Sequence, residues 1–401
     1  MFEVKNHKVF IVTGELSGDR VAAWYVAQER KKNSTDYYEA VGGDFLQAQG
    51  VTLVQRFESL NVVGIIEIIR HLSRLLKILH TLVNYIIQND FHEVMLVDFP
   101  GFNMRLAQYL KQRNKNIKIT YLSPPQLWCW GAWRIKKLKR YCDDLVVLYP
   151  FEVAWYQKRG LPVRWIGSPV YDSLQKYFVT PEENTEEKQN EQQALALRSE
   201  SMEWTSVSNG SPVQKNMIAL LIGSRLSEVQ TFTPLIAAVA RRFLASSPDV
   251  QFVVPLARSL PDNYVKEHLR NAGLGDILEK FIFVQDEHEK FMLLRQCRVA
   301  LTKPGTITLE LALLQIPSVV FFMTSRLTYT IAKLLVTVPY MSLPNLLLNK
   351  TVFKEFIQAD CSPEKLSQEL LDLYKKSIIQ DKTYHDFIAD CTVLRDMLRN
   401  S

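Results

Sequence analysis

The feature that constrains this chain most is a repeated alternation of apolar runs and amphipathic stretches. The runs come in two sets. Val9–Val12, Val94–Val97, Ile117–Leu122 and Leu145–Leu148 form the first. Ile218–Ile222, Gln251–Val254, Ile282–Val284, Val299–Leu301 and Ser318–Phe321 form the second. Runs that are continuously apolar suit strands covered on both faces, and strands spaced by helices suit parallel pairing. The expected class is α/β, with two doubly wound domains. A length of 401 residues is comfortable for two domains. With 47% hydrophobic and 22% charged residues, global disorder is excluded.

The join shows in composition. From Thr180 to Lys215 the chain is polar, with Glu182, Glu183, Glu186 and Glu187 ahead of Gln- and Ser-rich sequence. Ser208-Asn209-Gly210-Ser211-Pro212 is turn chemistry. The reading is an N-terminal domain over 1–178, a flexible polar insertion over 179–216, a C-terminal domain over 217–360 and a helical segment over 361–401. An acidic solvated helix is the plainer reading of the insertion's first part.

Charge is uneven. The formal net charge is +6, yet residues 1–178 hold 24 Lys+Arg against 16 Asp+Glu. A basic N-terminal half suits an anionic partner: a phosphate, a nucleic acid or an anionic membrane surface. Five cysteines with no CxxC spacing suit reduced thiols in the cytosol, with neither a disulfide frame nor a zinc site. The polar start, Met1 to Lys8, has no signal-peptide core. Val62–Ile87 is rich in Ile, Leu and Val, but Glu67, Arg70, Arg74 and Lys77 interrupt it, so it is too charged for a membrane span. Two readings stay open. One is a core helix with a wet face. The other is an interfacial helix whose Arg70, Arg74 and Lys77 meet lipid phosphates.

Five stretches could carry chemistry. Gly14-Glu15-Leu16-Ser17-Gly18-Asp19 follows the first strand and opens a helix, where a ligand or a plain turn with Ser17 or Asp19 as cap both fit. It is not GxGxxG, so dinucleotide binding is not indicated. Val97-Asp98-Phe99-Pro100-Gly101-Phe102-Asn103 puts an acid at the carboxyl end of a strand, where it can serve as general base or merely bond the turn. Trp128, Trp130 and Trp133 precede Arg134, Lys136, Lys137, Lys139 and Arg140. No nucleic-acid-binding motif accompanies them, so nucleic acid is not an expected partner. Gly223-Ser224-Arg225 and Lys303-Pro304-Gly305-Thr306…Glu310 each sit between strand and helix, a placement suited to a nucleotide diphosphate.

Taken together, these motifs resemble the lipid-A-disaccharide synthases. The match is carried by GELSGD at Gly14–Asp19, VDFPGFN at Val97–Asn103, the Ser-Pro…Trp-Cys-Trp stretch and Pro150-Phe151-Glu152. It continues with Gly223-Ser224-Arg225, Gly305–Glu310 and Ser342-Leu343-Pro344-Asn345-Leu346, in family order from about Lys8 to Asp360. The resemblance implies a GT-B fold, two Rossmann-like domains facing a cleft, with no metal or other cofactor. It implies UDP-2,3-diacylglucosamine as donor and 2,3-diacylglucosamine 1-phosphate (lipid X) as acceptor, joined β-1,6 with inversion. The site residues it implies are Asp98 as general base and Arg225 as stabiliser of the leaving diphosphate. Gly223, Ser224, Gly305, Thr306, Glu310 and Asn345 would serve the donor, and Glu15, Ser17 and Gly18 the acceptor. It also implies a peripheral protein on the cytoplasmic face of the inner membrane, monomeric or homodimeric. The segment 361–401 would pack on the N-terminal domain or be exchanged in a dimer.

The chain departs from the family pattern at Gly101, Ser168, Ile222 and Pro304, where Asp, His, Pro and Ser are common. Two other readings remain: a different UDP-sugar-dependent GT-B transferase or epimerase, and a membrane-surface binding protein without catalysis.

Overall fold

The computed structural model describes residues 7–32, 36–60, 72–178, 216–258 and 260–399. Two compact units emerge. The first runs to Pro169 and is joined by Leu334–Thr337; the second comprises Val170–Lys333 and Val338–Arg399.

In chain order the first unit contains β1 (Lys8–Val12), α1 (Leu16–Lys31), β2 (Tyr37–Gly42), α2 (Asp44–Ala48) and β3 (Thr52–Arg56). Then come α3 (Leu72–Gln88), β4 (Glu93–Val97), α4 (Pro100–Arg113), β5 (Lys118–Leu122), α5 (Ile135–Tyr141), β6 (Asp144–Val147), α6 (Pro150–Gln157) and β7 (Arg164–Trp165). The seven strands are all parallel, in the order β3-β2-β1-β4-β5-β6-β7. Side chains alternate faces along a strand, and both faces are covered. Phe10, Val12, Val94, Leu96 and Tyr121 pack into one core, Val9, Ile11, Met95, Val97 and Leu122 into the other.

The second unit contains α7 (Pro169–Leu174), β8 (Met217–Leu220), α8 (Leu226–Ser246), β9 (Gln251–Pro255), α9 (Asp262–Leu269), β10 (Phe281–Val284) and α10 (Glu287–Leu294). It continues with β11 (Cys297–Thr302), α11 (Thr306–Leu313), β12 (Ser318–Phe322), α12 (Arg326–Leu335), α13 (Leu343–Leu348), β13 (Lys354–Ile357), α14 (Pro363–Ile379) and α15 (Lys382–Leu398). Its six parallel strands run β10-β9-β8-β11-β12-β13. The expected α/β class with two Rossmann-like domains is what the chain adopts.

Within the segment 361–401, α14 packs into the core of the second unit. Leu366, Leu370 and Tyr374 share a core with Ile236, Phe243, Val299 and Leu301, because their i, i+4, i+8 spacing gives α14 one apolar face. The insertion over 179–216 lies almost wholly outside the described residues. For Val62–Ile87, residues 61–71, Arg70 among them, are likewise outside. From Leu79 onward the helix is core: Leu79, Leu82, Val83 and Ile86 are buried, while Arg74 and Lys77 are exposed.

Candidate active site

Each sheet reverses its strand order once, between β1 and β4 and between β8 and β11. Open α/β sheets bind ligands outside the carboxyl ends of such strand pairs. Four of the five sequence motifs leave these four strand ends, and the tryptophan stretch follows β5.

In the first unit the loops after β1 and β4 fit against each other. A Cβ on Gly14 would lie 2.2 Å from Phe99 Cγ, so only glycine lets the two loops close. Asp98 and Phe99 both have left-handed backbone, with φ of 47° and 48°. Non-glycine residues enter that region at a cost of about 1–3 kcal/mol each and are held there by their surroundings. Here the hold is visible. The Asp98 N–H donates to Leu122 O at 3.2 Å, and its carbonyl accepts from Tyr121 Oη at 2.7 Å and Asn103 Nδ2 at 2.9 Å. Asn103, fully buried, also points Nδ2 at Val97 O (3.2 Å) and Val12 O (3.4 Å), tying both strand ends, while its Oδ1 has no protein partner.

The Asp98 side chain is half-buried. Burial pushes its carboxyl up to about 6, the charge of Glu15 adds to the rise, and the Phe99 N–H opposes it. A carboxylate so poised is still mostly ionised at neutral pH and is a better base than an ordinary aspartate. Glu15 accepts from the Ser17 hydroxyl at 2.6 Å, near the surface. Gly18 is buried, with room for a Cβ at 3.6 Å from Thr13, so it presents no face to a ligand. Asp19 does not cap its own helix. It is fully buried and accepts from the Gly43 and Phe45 N–H groups at 2.7 and 3.0 Å, capping α2.

The tryptophan stretch is pinned from below. Trp128 Nε1 donates to Glu152 Oε1 at 2.8 Å, and Glu152 Oε2 accepts from the Leu148 and Tyr149 N–H groups at 3.2 and 3.0 Å. Tyr156 Oη donates to Pro125 O at 2.8 Å. Glu152 in Pro-Phe-Glu is therefore a brace for the loop. Trp130 and Trp133 stay exposed.

In the second unit Gly223 has φ 126°, and a Cβ there would lie 2.4 Å from Glu228 Oε2. That space is taken because Glu228 accepts from the Ser224 N–H at 2.8 Å and the Arg225 N–H at 3.3 Å, and pairs with Lys303 Nζ. Burial pushes the Glu228 carboxyl up, but the bonds from Lys303 and Ser224 and the charges of Lys303 and Arg225 outweigh it and hold it low. The carboxylate thus joins the β8 and β11 loops and occupies the amino end of α8. Arg225 keeps more than half its side chain exposed, 3.7 Å from Glu228. The amino end of α11 is different: Gly305 and Thr306 are exposed, no side chain caps it, and a Cβ on Gly305 would meet nothing within 4 Å. Its N–H groups and dipole suit an anion.

Glu310, one turn on, pairs with Lys290 at 2.9 Å. Asn345 is fully buried. Its Nδ2 donates to Phe353 O (2.7 Å) and Glu355 Oε1 (2.9 Å), and its Oδ1 accepts from the Val352 and Phe353 N–H groups at 2.8 Å each. All its capacity serves the loop, so any effect on a donor acts through that loop. Glu355 also accepts from the Met341 and Ser342 N–H groups and the Ser342 hydroxyl, and the Leu343 N–H donates to Thr308 Oγ1 in the first turn of α11. Sequence reasoning missed Glu228, Lys303, Lys290, Glu355 and Asn103 as a supporting frame. Only Glu228, three residues after Arg225 as in a capping box, left a local signal.

Comparison with known proteins agrees with this reading of the motifs. Residues 9–397 match the family model described as lipid-A-disaccharide synthetase. The lipid-A-disaccharide synthase of Geobacter sulfurreducens is 31% identical over 370 residues, covering 92% of this chain and 88% of the relative. That of Alkalilimnicola ehrlichii is 33% identical over 367 residues, covering 91% and 89%. Among solved structures, the UDP-GlcNAc 2-epimerase of Neisseria meningitidis shares the fold, with TM-score 0.58 at 13% identity over 98% of this chain and 99% of that one. Among the described residues no helix is long and apolar enough to cross a membrane. With its family motifs at the two switch points and the match running almost end to end, the chain belongs to the lipid-A-disaccharide synthetase family of glycosyltransferases.

Proposed function

We propose that the protein transfers the diacylglucosamine unit of UDP-2,3-diacylglucosamine to the 6-hydroxyl of 2,3-diacylglucosamine 1-phosphate, with inversion, releasing UDP. The acceptor oxygen attacks the donor's anomeric carbon as the bond to the diphosphate breaks. Asp98 takes the hydroxyl proton; such a base is typically worth about 10²–10⁴ in rate. Negative charge grows on the leaving diphosphate. The guanidinium of Arg225 and the open amino end of α11 at Gly305 and Thr306 stabilise it. Gly223 and Ser224 shape the adjoining loop, Glu310 holds ribose hydroxyls, and Asn345 keeps the loop behind α11 in place. Glu15 and Ser17 border the acceptor, and Gly18 lies beneath them. The protein works at an anionic membrane surface, the inner face of the inner membrane, with Arg74, Lys77 and, outside the described residues, Arg70 on lipid phosphates.

The observation that carries this reading is Asp98 itself: an aspartate at a switch point, backbone-strained and with its carboxyl raised to about 6. The test is direct. Purified protein is mixed with both lipids in detergent without divalent metal, and UDP release and disaccharide are followed. Disaccharide formation is expected. Absence of turnover with well-folded protein, across acyl lengths, sinks the substrate assignment, and turnover of another UDP-sugar replaces it.

A further inference from the structure

Lys303 is the first residue past β11, at the switch point of the second sheet. Its surroundings fix both backbone and side chain. Pro304 disfavours a helical backbone at the residue before it, and α11 starts only at Thr306. Thr302, fully buried, donates its hydroxyl to the Lys303 carbonyl at 3.2 Å. The ammonium meets Glu228 Oε1, while Glu228 Oε2 is held by the Ser224 and Arg225 N–H groups. The Lys303 side chain keeps 22% of its surface in solvent. An ammonium carries several donors, and Glu228 engages it on one side only.

This ammonium lies between the two stretches that suit a diphosphate. Ser224 and Arg225 share its carboxylate partner, and Gly305 and Thr306 follow it closely in the chain. Glu228 puts a negative charge at the amino end of α8, where an anion would otherwise sit. A carboxylate there repels an incoming phosphate unless its charge is offset. Arg225 is 3.7 Å from Glu228 and more than half exposed. Alone it would only balance Glu228; with Lys303 the group is net positive. The link to Glu228 does not itself require a charge at 303. A half-buried ion pair carries a desolvation cost, and a neutral amide donor would bond the carboxylate as well. The charge has a further use if an anion joins the pair.

We propose that Lys303 is a second cation for the donor's diphosphate, acting beside Arg225, and that Glu228 aims its ammonium. The ammonium donates to a phosphate oxygen from the side that Glu228 leaves open. As the bond from the anomeric carbon to the diphosphate oxygen breaks, the electron pair stays with that oxygen. Negative charge grows there, so Lys303 serves kcat as well as binding. Uridine, which has no phosphate, gains nothing from it. The inference deepens the proposed function and rests on that reading's UDP-linked donor.

The test is UDP binding to the full chain by calorimetry without divalent metal, with uridine as the control. K303Q offers Glu228 a neutral donor, so it keeps the contact and drops the charge; K303R keeps both. With melting profiles checked, K303Q is expected to bind UDP at least about ten-fold more weakly and uridine as wild type does. K303R should stay within about three-fold of wild type for UDP. Wild-type protein gives a measure that needs no variant: reductive methylation, read by mass spectrometry, should label Lys303 less with UDP present than with uridine. Equal UDP affinity in K303Q overturns the proposal. So does a loss shared equally by UDP and uridine, which marks Lys303 as a loop support, and so does labelling that UDP leaves unchanged. Wild-type protein that binds no UDP refutes the donor class and this inference together. UDP held through Lys303 by a protein that makes no disaccharide refutes the substrate assignment alone.

Discussion

Asp98 is caught between two demands, and both make predictions. As a base it must be ionised, so kcat/KM should fall about ten-fold per pH unit below about pH 6, following the raised carboxyl. Glu15→Gln removes one cause of the rise and should move that acid limb to lower pH; a limb that stays put would separate Glu15 from Asp98. D98N should lower kcat by about 10²–10⁴. In stability the sign is opposite to the usual aspartate. The folded state binds the Asp98 proton more tightly than the unfolded state does, so stability is lost as pH rises from the ordinary range through about 6. D98N should therefore melt no lower than wild type at pH 7 to 8, and a clear drop would mean that the ionised carboxylate holds the loops together.

At the scale of elements, the loop Ser342–Asn345 shows how a site is supported by groups that never touch a ligand. Glu355 gathers donors from Met341, Ser342 and Asn345, and Leu343 reaches Thr308 of α11. Glu355→Ala leaves several half-buried donors without their acceptor, a loss of about 1–3 kcal/mol. We expect a higher donor KM with kcat less affected, measured by initial rates; equal donor KM would detach this loop from the α11 end. The same scale explains what the sequence disclosed. Central strands such as β1, β4, β8 and β11 are covered on both faces and read as continuous apolar runs. β3 and β13 lie at sheet edges with Gln55, Arg56, Lys354 and Glu355 in them, β7 is two residues long, and β2 carries Glu39, so none of these gives such a run. The motif residues Asp98, Arg225, Gly305 and Thr306 stand out as candidates in the sequence because the chemistry of a strand end is local. Glu355 and Lys290 do not, because their partners Asn345 and Glu310 meet them only through tertiary contact.

Across the whole molecule, the second unit is not closed by its own sheet. Leu366, Leu370 and Tyr374 complete its core, Leu394 and Leu398 are fully buried, and the Arg395 guanidinium donates to the Leu313 carbonyl at the end of α11. Each large apolar side chain stabilises by about 1.5–3 kcal/mol on burial, against a total of about 5–15 kcal/mol for a domain. Truncation after Asp360 should therefore unfold the second unit while the first still melts cooperatively, read by calorimetry and limited proteolysis. A truncated chain that keeps both transitions would show α14 and α15 to be accessory.

The placement of α14 and α15 also fixes an order of events as the chain is made. The strands of the first sheet are all synthesised by Trp165, so that domain can close early. The second sheet must wait for partners that arrive far behind it, as when Tyr374 meets Asn216. During translation a finished domain is thus tethered to an unfinished one with bare apolar strands, the state in which chaperone capture and aggregation compete.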